Sequence, residues 1–285
     1  MNSLLDYFPT LPVSQWISQI IQWLTTHLSG FFEALQTGGQ SLMDAMTDLL
    51  LFLPPLVIIV LAMVLAFYLS GKRYGLAVFT GLGLCYIQNQ GLWEDLMYTL
   101  TLVILASVIS IIIGVPLGIW MAKRDRANQI LQPILDFMQT MPAFVYLIPA
   151  VAFFGIGMVP GVFASVIFAL PPTVRFTNLG LRQVPEEMIE AAEAFGSTSW
   201  QKLFKVELPL AKGTLMAGVN QTIMLALSMV VIASMIGAPG LGSNVLTALQ
   251  RADVGSGFVS GLALVVLAII LDRFMQAGTK QQNQS

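Results

Sequence analysis

The chain has 285 residues, 56% of them hydrophobic and only 10% charged, against roughly 25% charged in an ordinary soluble domain. A net charge of −2 with 13 lysines and arginines leaves no basic patch dense enough to neutralise a phosphate backbone, which excludes nucleic acid as a partner. The composition is that of an all-α, polytopic helical membrane protein, with membrane lipid as its main surroundings.

No lysine or arginine precedes Lys72, so the amino terminus lacks the basic region of a cleaved signal and is expected to be retained. Val13, Trp16, Ile17, Ile20, Ile21, Leu24 and Leu28 recur at the spacing of one helix face. Phe31, Phe32, Leu35, Leu42, Met43, Met46 and Leu50 repeat the pattern. Gln15, Gln19, Gln22, Glu33, Asp44 and Asp48 interrupt both, so residues 1–52 read as external amphipathic helices lying on the membrane or against the bundle. His27, the one histidine, reads as an interfacial polar residue, and Cys85, the one cysteine, as a packing residue. Neither supplies a metal site.

Seven segments are apolar enough to approach the roughly 20 residues that cross a bilayer: 53–70, 75–92, 96–122, 141–157, 159–177, 213–236 and 257–272. The chain divides accordingly into two accessory spans over 53–92, a core over 93–275 and a tail over 276–285. With the amino terminus outside, Lys72, Arg73, Lys123, Arg124, Arg126, Arg175, Arg182, Lys202, Lys205, Lys212, Arg273 and Lys280 all fall on the cytoplasmic side or its boundary. Arg251 alone falls outside. The carboxyl terminus is then cytoplasmic.

The spans carry almost no charge between their ends, with Arg175 and Asp272 read at span boundaries. Ion-coupled transporters place ionisable groups inside the membrane, so the driving force is expected from elsewhere. It is not ATP bound here, because no G-x-x-x-x-G-K-[ST] phosphate loop occurs. The glycine-rich stretch from Gly237 to Gly242 follows a span and reads as an external turn. No catalytic residue and no cofactor of the chain's own is indicated.

The longest polar segment, 183–212, reads as a cytoplasmic helical hairpin. Pro185 suits a first helical turn, Glu186 and Glu187 its amino end, and Gly196 the position just past its carboxyl end. Ser197 or Thr198 then caps a second helix through Trp200, Leu203, Phe204 and Val206, which is expected to stop before Leu208 and Pro209.

Within the hairpin, Glu190-Ala191-Ala192, Gly196, Val206 and Leu208-Pro209 resemble the EAA signature of ABC importer permeases, with valine where isoleucine is usual. Residues 139–149, 168–172, 177–180, 220–224 and 226–237 are similar to permeases of glycine betaine/proline betaine uptake systems. The resemblance implies a type I importer fold and a separate cytoplasmic ATPase, in two copies, that binds the ATP. It also implies a second permease copy and an extracellular substrate-binding protein that carries the selective aromatic cage. Glu190, Ala191, Ala192, Gly196, Val206, Leu208 and Pro209 become the expected ATPase-coupling residues.

Pro142, Pro149, Pro160, Pro171 and Pro172 interrupt the fourth and fifth spans, and broken backbone is tolerated in a membrane only inside protein or beside a water-filled cavity. These spans are therefore the expected path and gate, with Phe144, Tyr146, Pro149 and Phe153 as candidate lining residues, although the aromatics read first as packing or interface anchors. Asn220 and Gln221 are the next candidates, as amides that meet either a carboxylate or a neighbouring helix. Choline, carnitine and proline remain open as solutes, as does an unrelated solute carried by the same fold. A membrane enzyme or channel would need intramembrane catalytic residues or a polar pore repeat, and neither occurs.

Overall fold

Proline and glycine decide where the helices stop. The computed structural model describes residues 12–71 and 74–282, with side chains through 277, and no strand occurs among the described residues. Lys72, Arg73 and the side chain of Lys280 lie outside them. Helix α1 (Val13–His27) buries none of its residues, and α2 (Ser29–Phe52) buries only Met43 and Thr47, as amphipathic surface helices should. His27 remains local: its ring stacks on Trp23 with centroids 4.6 Å apart.

Leu53 precedes Pro54 and is extended, with ψ 135°, because the proline ring disfavours helical backbone before it. Helix α3 (Pro55–Leu69) consequently leaves at 91° to α2. After Gly71 comes α4 (Tyr74–Asn89), which ends ahead of Gly91 at φ +71°. Cys85 is exposed on α4, so it does not pack inside the chain as expected; its face of the helix turns away from the bundle.

The remaining chain forms α5 (Trp93–Lys123), α6 (Asp125–Thr140), a 3₁₀ turn (Ala143–Tyr146), α7 (Leu147–Phe154) and α8 (Met158–Arg182). Then follow α9 (Glu186–Ala194), α10 (Ser199–Lys202), a π turn (Leu203–Glu207), α11 (Leu208–Ala233), α12 (Leu241–Gln250) and α13 (Val254–Gln282). Helix α8 is the centre of the bundle, packed along α5 and α11. Ser110 donates to the Val166 carbonyl at 3.2 Å, and further along Gly118 abuts Thr177, so α5 and α8 run parallel. Thr222 donates to the Ala169 carbonyl at 3.0 Å, whereas Gly218 abuts Phe176, so α11 returns antiparallel. Helix α13 packs beside α4, where Tyr86 donates to the Val259 carbonyl at 3.4 Å.

The seven expected crossings are not seven long helices. By length and composition, four helices suffice to cross a membrane, or up to six if each sharply bent pair counts as one span. Helices α3 and α4 have 15 and 16 residues, or about 22–24 Å at 1.5 Å per residue. The expected span 141–157 is broken, since α6 and the segment from Ala143 to Phe154 meet at 108° around Met141-Pro142. Helix α13 continues to Gln282, through most of the segment read as a tail.

Two charged residues read at span boundaries lie inside helices that continue past them. Arg175 sits inside α8, seven residues before its end, and pairs with Asp136 of α6. Asp272 sits inside α13 and accepts hydrogen bonds from Asn220 at 3.1 Å and Gln276 at 2.7 Å. Helix packing brings each a partner that spacing along the chain does not reveal.

Candidate functional site

The hairpin following α8 forms much as its local chemistry dictates. Pro185 takes the N-cap position of α9, one residue earlier than a first-turn proline, with φ −58° and ψ 133°. Glu186 and Glu187 occupy the first turn, where the helix dipole favours negative charge. At the other end Gly196 adopts φ +77°, and the Ser197 amide donates to the Ala192 carbonyl at 3.0 Å, closing the helix through a left-handed residue. Thr198, rather than Ser197, caps α10: its amide donates to Gln201 Oε1 at 2.9 Å while its hydroxyl accepts from the Gln201 amide, a reciprocal capping box.

The second limb does not stop before Leu208-Pro209. It runs on into α11 as one helical rod, Ser199–Ile236, of 38 residues. Pro209 lacks the N–H that an α-helix would need, and its ring crowds the carbonyl four residues back. The rod absorbs this by widening to a π turn over Leu203–Glu207, in which the Leu208 amide donates to the Leu203 carbonyl.

Helix α9 buries no residue at all. Beneath it Leu181, Val184, Leu203 and Ala211 form a small apolar cluster with Ile189, Ile119 and Ala122 packed around it. Phe195 is 91% exposed at the tip, and Met188 is exposed on α9. Trp200 and Phe204 stack with centroids 5.4 Å apart and are exposed as well. Glu190 and Ala191 are exposed, Ala192 and Val206 half-buried, Leu208 half-buried and Pro209 exposed. The signature residues thus share one projecting hairpin.

Charges order its base. Lys202 pairs with Glu193 across the hairpin and holds that carboxyl below the ordinary carboxylate range, chiefly through the hydrogen bond. Arg182 bridges Asp125 at 2.7 Å and the Met121 carbonyl at 3.0 Å. Lys123, the last residue of α5, donates to Glu207 Oε1 at 2.6 Å, and Glu207 is only 2% exposed. The pairing of Glu207 with Lys123 leaves no signal in the sequence, because 84 positions separate them, and the tip residue Phe195 carries no signature.

The candidate path residues scatter. Tyr146 is buried and its hydroxyl donates to the Met138 carbonyl across the helix break. Phe153 stacks on Phe32 of α2 at 4.7 Å, and Asn220 is held by Asp272. Phe144 is 57% exposed, Gln221 is exposed and Pro149 half-buried. At the end of the bundle away from α9, Gly240 and Leu241 dock on α5, where the Leu241 amide donates to Thr99 Oγ1 at 2.9 Å. The expected external turn therefore opens into α12, a short helix that its glycines concealed in the sequence. No group of three or more potential metal ligands occurs among the described residues.

Long apolar helices packed on α8, with a polar hairpin projecting from one end, define a polytopic membrane protein. The chain belongs to the family of binding-protein-dependent transport system inner membrane components, which matches residues 114–280. It is 57% identical over 275 residues to the glycine betaine/carnitine transport permease protein GbuB of Listeria monocytogenes, covering 96% of this chain and 97% of that one. It is 49% identical over 272 residues to the glycine betaine transport system permease protein OpuAB of Bacillus subtilis, covering 95% and 96%. The glycine betaine/proline betaine permease protein ProW of Escherichia coli is also 49% identical, over 94% of this chain and 75% of that one. Among solved structures, an inward-facing methionine ABC transporter, MetNI, shares the fold with a TM-score of 0.59 at 22% identity, over 68% of this chain and 95% of that one.

Proposed function

We propose that this chain is the membrane-embedded subunit of an ATP-driven importer that moves glycine betaine or a related quaternary amine into the cell. One observation carries the substrate: three relatives whose printed names specify glycine betaine match at 49–57% identity along nearly all of this chain. Carnitine stands beside it in the name of the 57% relative.

In this reading a separate ATPase binds the ATP and receives α9 in a groove. No residue of α9 is fully buried in its own chain, which leaves the face with Glu190 and Ala191 open to a partner; Ala191 and Ala192 allow close approach while Glu190 offers a charge-assisted contact. Two ATPase copies, a second permease copy and an external binding protein complete the machine. Phe144 and Gln221 are both exposed, and the second copy would enclose the path between the two permeases. Lys123, Arg182 and Lys202 lie at the α9 end and Arg251 near Asn244 at the other, which supports a cytoplasmic hairpin by the distribution of positive charge.

The test is reconstitution in liposomes with the ATPase and binding protein, measuring ATP-dependent uptake of glycine betaine and carnitine. ATP hydrolysis without uptake of any quaternary amine would defeat the substrate assignment.

A further inference from the structure

We infer that the ion pair between Lys123 and the buried Glu207 couples the hairpin to α5, making both side chains positioning residues that carry its displacement into the spans. The inference rests on the importer reading above.

The hairpin has few holds on the bundle. Helix α9 contributes no fully buried residue, and it meets the bundle through apolar contacts of Ile189 and the preceding Val184 and through the limb that follows. In that limb only Leu203 and Glu207 are buried, four residues apart on the π turn. Leu203 sits in the apolar cluster under the hairpin, where a nonpolar contact can slide. Glu207 instead turns both carboxylate oxygens to the Lys123 ammonium. The Glu193–Lys202 pair is internal to the hairpin. Among the described residues, Lys123–Glu207 is thus the ion pair that joins the hairpin to another span.

Stability alone does not account for it. Desolvating the Glu207 carboxylate offsets much of the attraction, which water also screens at Lys123, 42% exposed. What an ion pair adds over an apolar contact is a defined register between two elements. Here those elements are the end of α5 and the start of the rod that becomes α11, and α5 and α11 both pack along α8. Lys123 also sits at the carboxyl end of its helix, where the dipole favours a cation. A hairpin displacement would therefore move α11 by helical continuity and α5 by charge, shifting two walls of the bundle together.

The experiment compares wild type, Lys123→Met with Glu207→Met, and the reversed pair Lys123→Glu with Glu207→Lys, each in liposomes with ATPase and binding protein. Two ratios are read: glycine betaine taken up per ATP hydrolysed, and stimulation of ATP hydrolysis by loaded binding protein. The expected result is that the apolar pair co-purifies with the ATPase and keeps its melting temperature, while both ratios fall by about tenfold, within the usual span of intersite coupling. The reversed pair should recover most of the loss. Wild-type ratios in the apolar pair would overturn the inference, as would loss of ATPase co-purification or an equal deficit in the reversed pair. A wild-type complex whose hydrolysis responds to binding protein but which moves no quaternary amine would defeat the substrate reading alone, and the stimulation ratio would still decide the role of Lys123 and Glu207.

Discussion

The hydroxyl of Tyr146 donates to the main-chain carbonyl of Met138, spanning the break between α6 and α7. Pro142 removes a donor where α6 would otherwise continue, and carbonyls freed by such a break need partners inside a membrane. Tyr146 supplies one from within the chain, and its ring packs edge-on against Phe168 of α8, centroids 5.9 Å apart. Tyr146→Phe keeps the ring and deletes the donor. It should lower stability by about 1–3 kcal/mol, the usual range for an orphaned buried acceptor, read as a reduced melting temperature of the purified chain in detergent.

Gly196 is required for its backbone, because a Cβ there would meet nothing within 4 Å while φ is +77°. Gly196→Asn, whose side chain tolerates left-handed backbone, should keep ATPase co-purification and transport. Gly196→Pro, locked near φ −65°, should abolish both while membrane insertion persists. Normal uptake by the proline variant would show that the turn does not position the hairpin.

At Gly118 the requirement is space. An added Cβ would lie 2.5 Å from Thr177 Cβ and 2.6 Å from the Val174 carbonyl oxygen. Gly118→Ala should therefore push α5 from α8 and cost about 1–3 kcal/mol. Gly38→Ala, with nothing within 4 Å of its Cβ, should leave the melting temperature unchanged or raised. Equal effects at the two sites would contradict the close α5–α8 contact.

The Glu193 carboxyl is held below its ordinary value by Lys202. A depressed folded value means that its contribution is complete above the unfolded carboxylate value near about 4.3 and is lost as pH falls through the folded value. The hairpin charge pair should accordingly persist into mildly acid solution. Lys202→Met should move the Glu193 titration upward, followed by carbon NMR of side-chain-labelled glutamate. An unmoved titration would show that Lys202 is not the cause.

Much of the hairpin was legible because its signals are local. Gly196 ends α9 and Thr198 with Gln201 caps α10, each acting within a few residues. The apolar runs likewise announced α5, α8, α11 and α13. The continuity of α10 into α11 was not legible, because Pro209 reads as a stop and only the surrounding packing makes a π turn the better outcome. The partners of the path candidates were not legible for a similar reason: helix packing brings Tyr146, Phe153 and Asn220 to Met138, Phe32 and Asp272.

By itself the sequence determined that this is an all-helical membrane chain and marked a hairpin with the permease signature. Hydropathy, capping and backbone preference depend on neighbours along the chain, so they can be read there. Only the tertiary structure decided that Arg175 meets Asp136, that Asn220 meets Asp272 and that Lys123 meets Glu207. Such partners lie 39 to 84 positions apart, and the angles and registers at which helices pack are what bring them together.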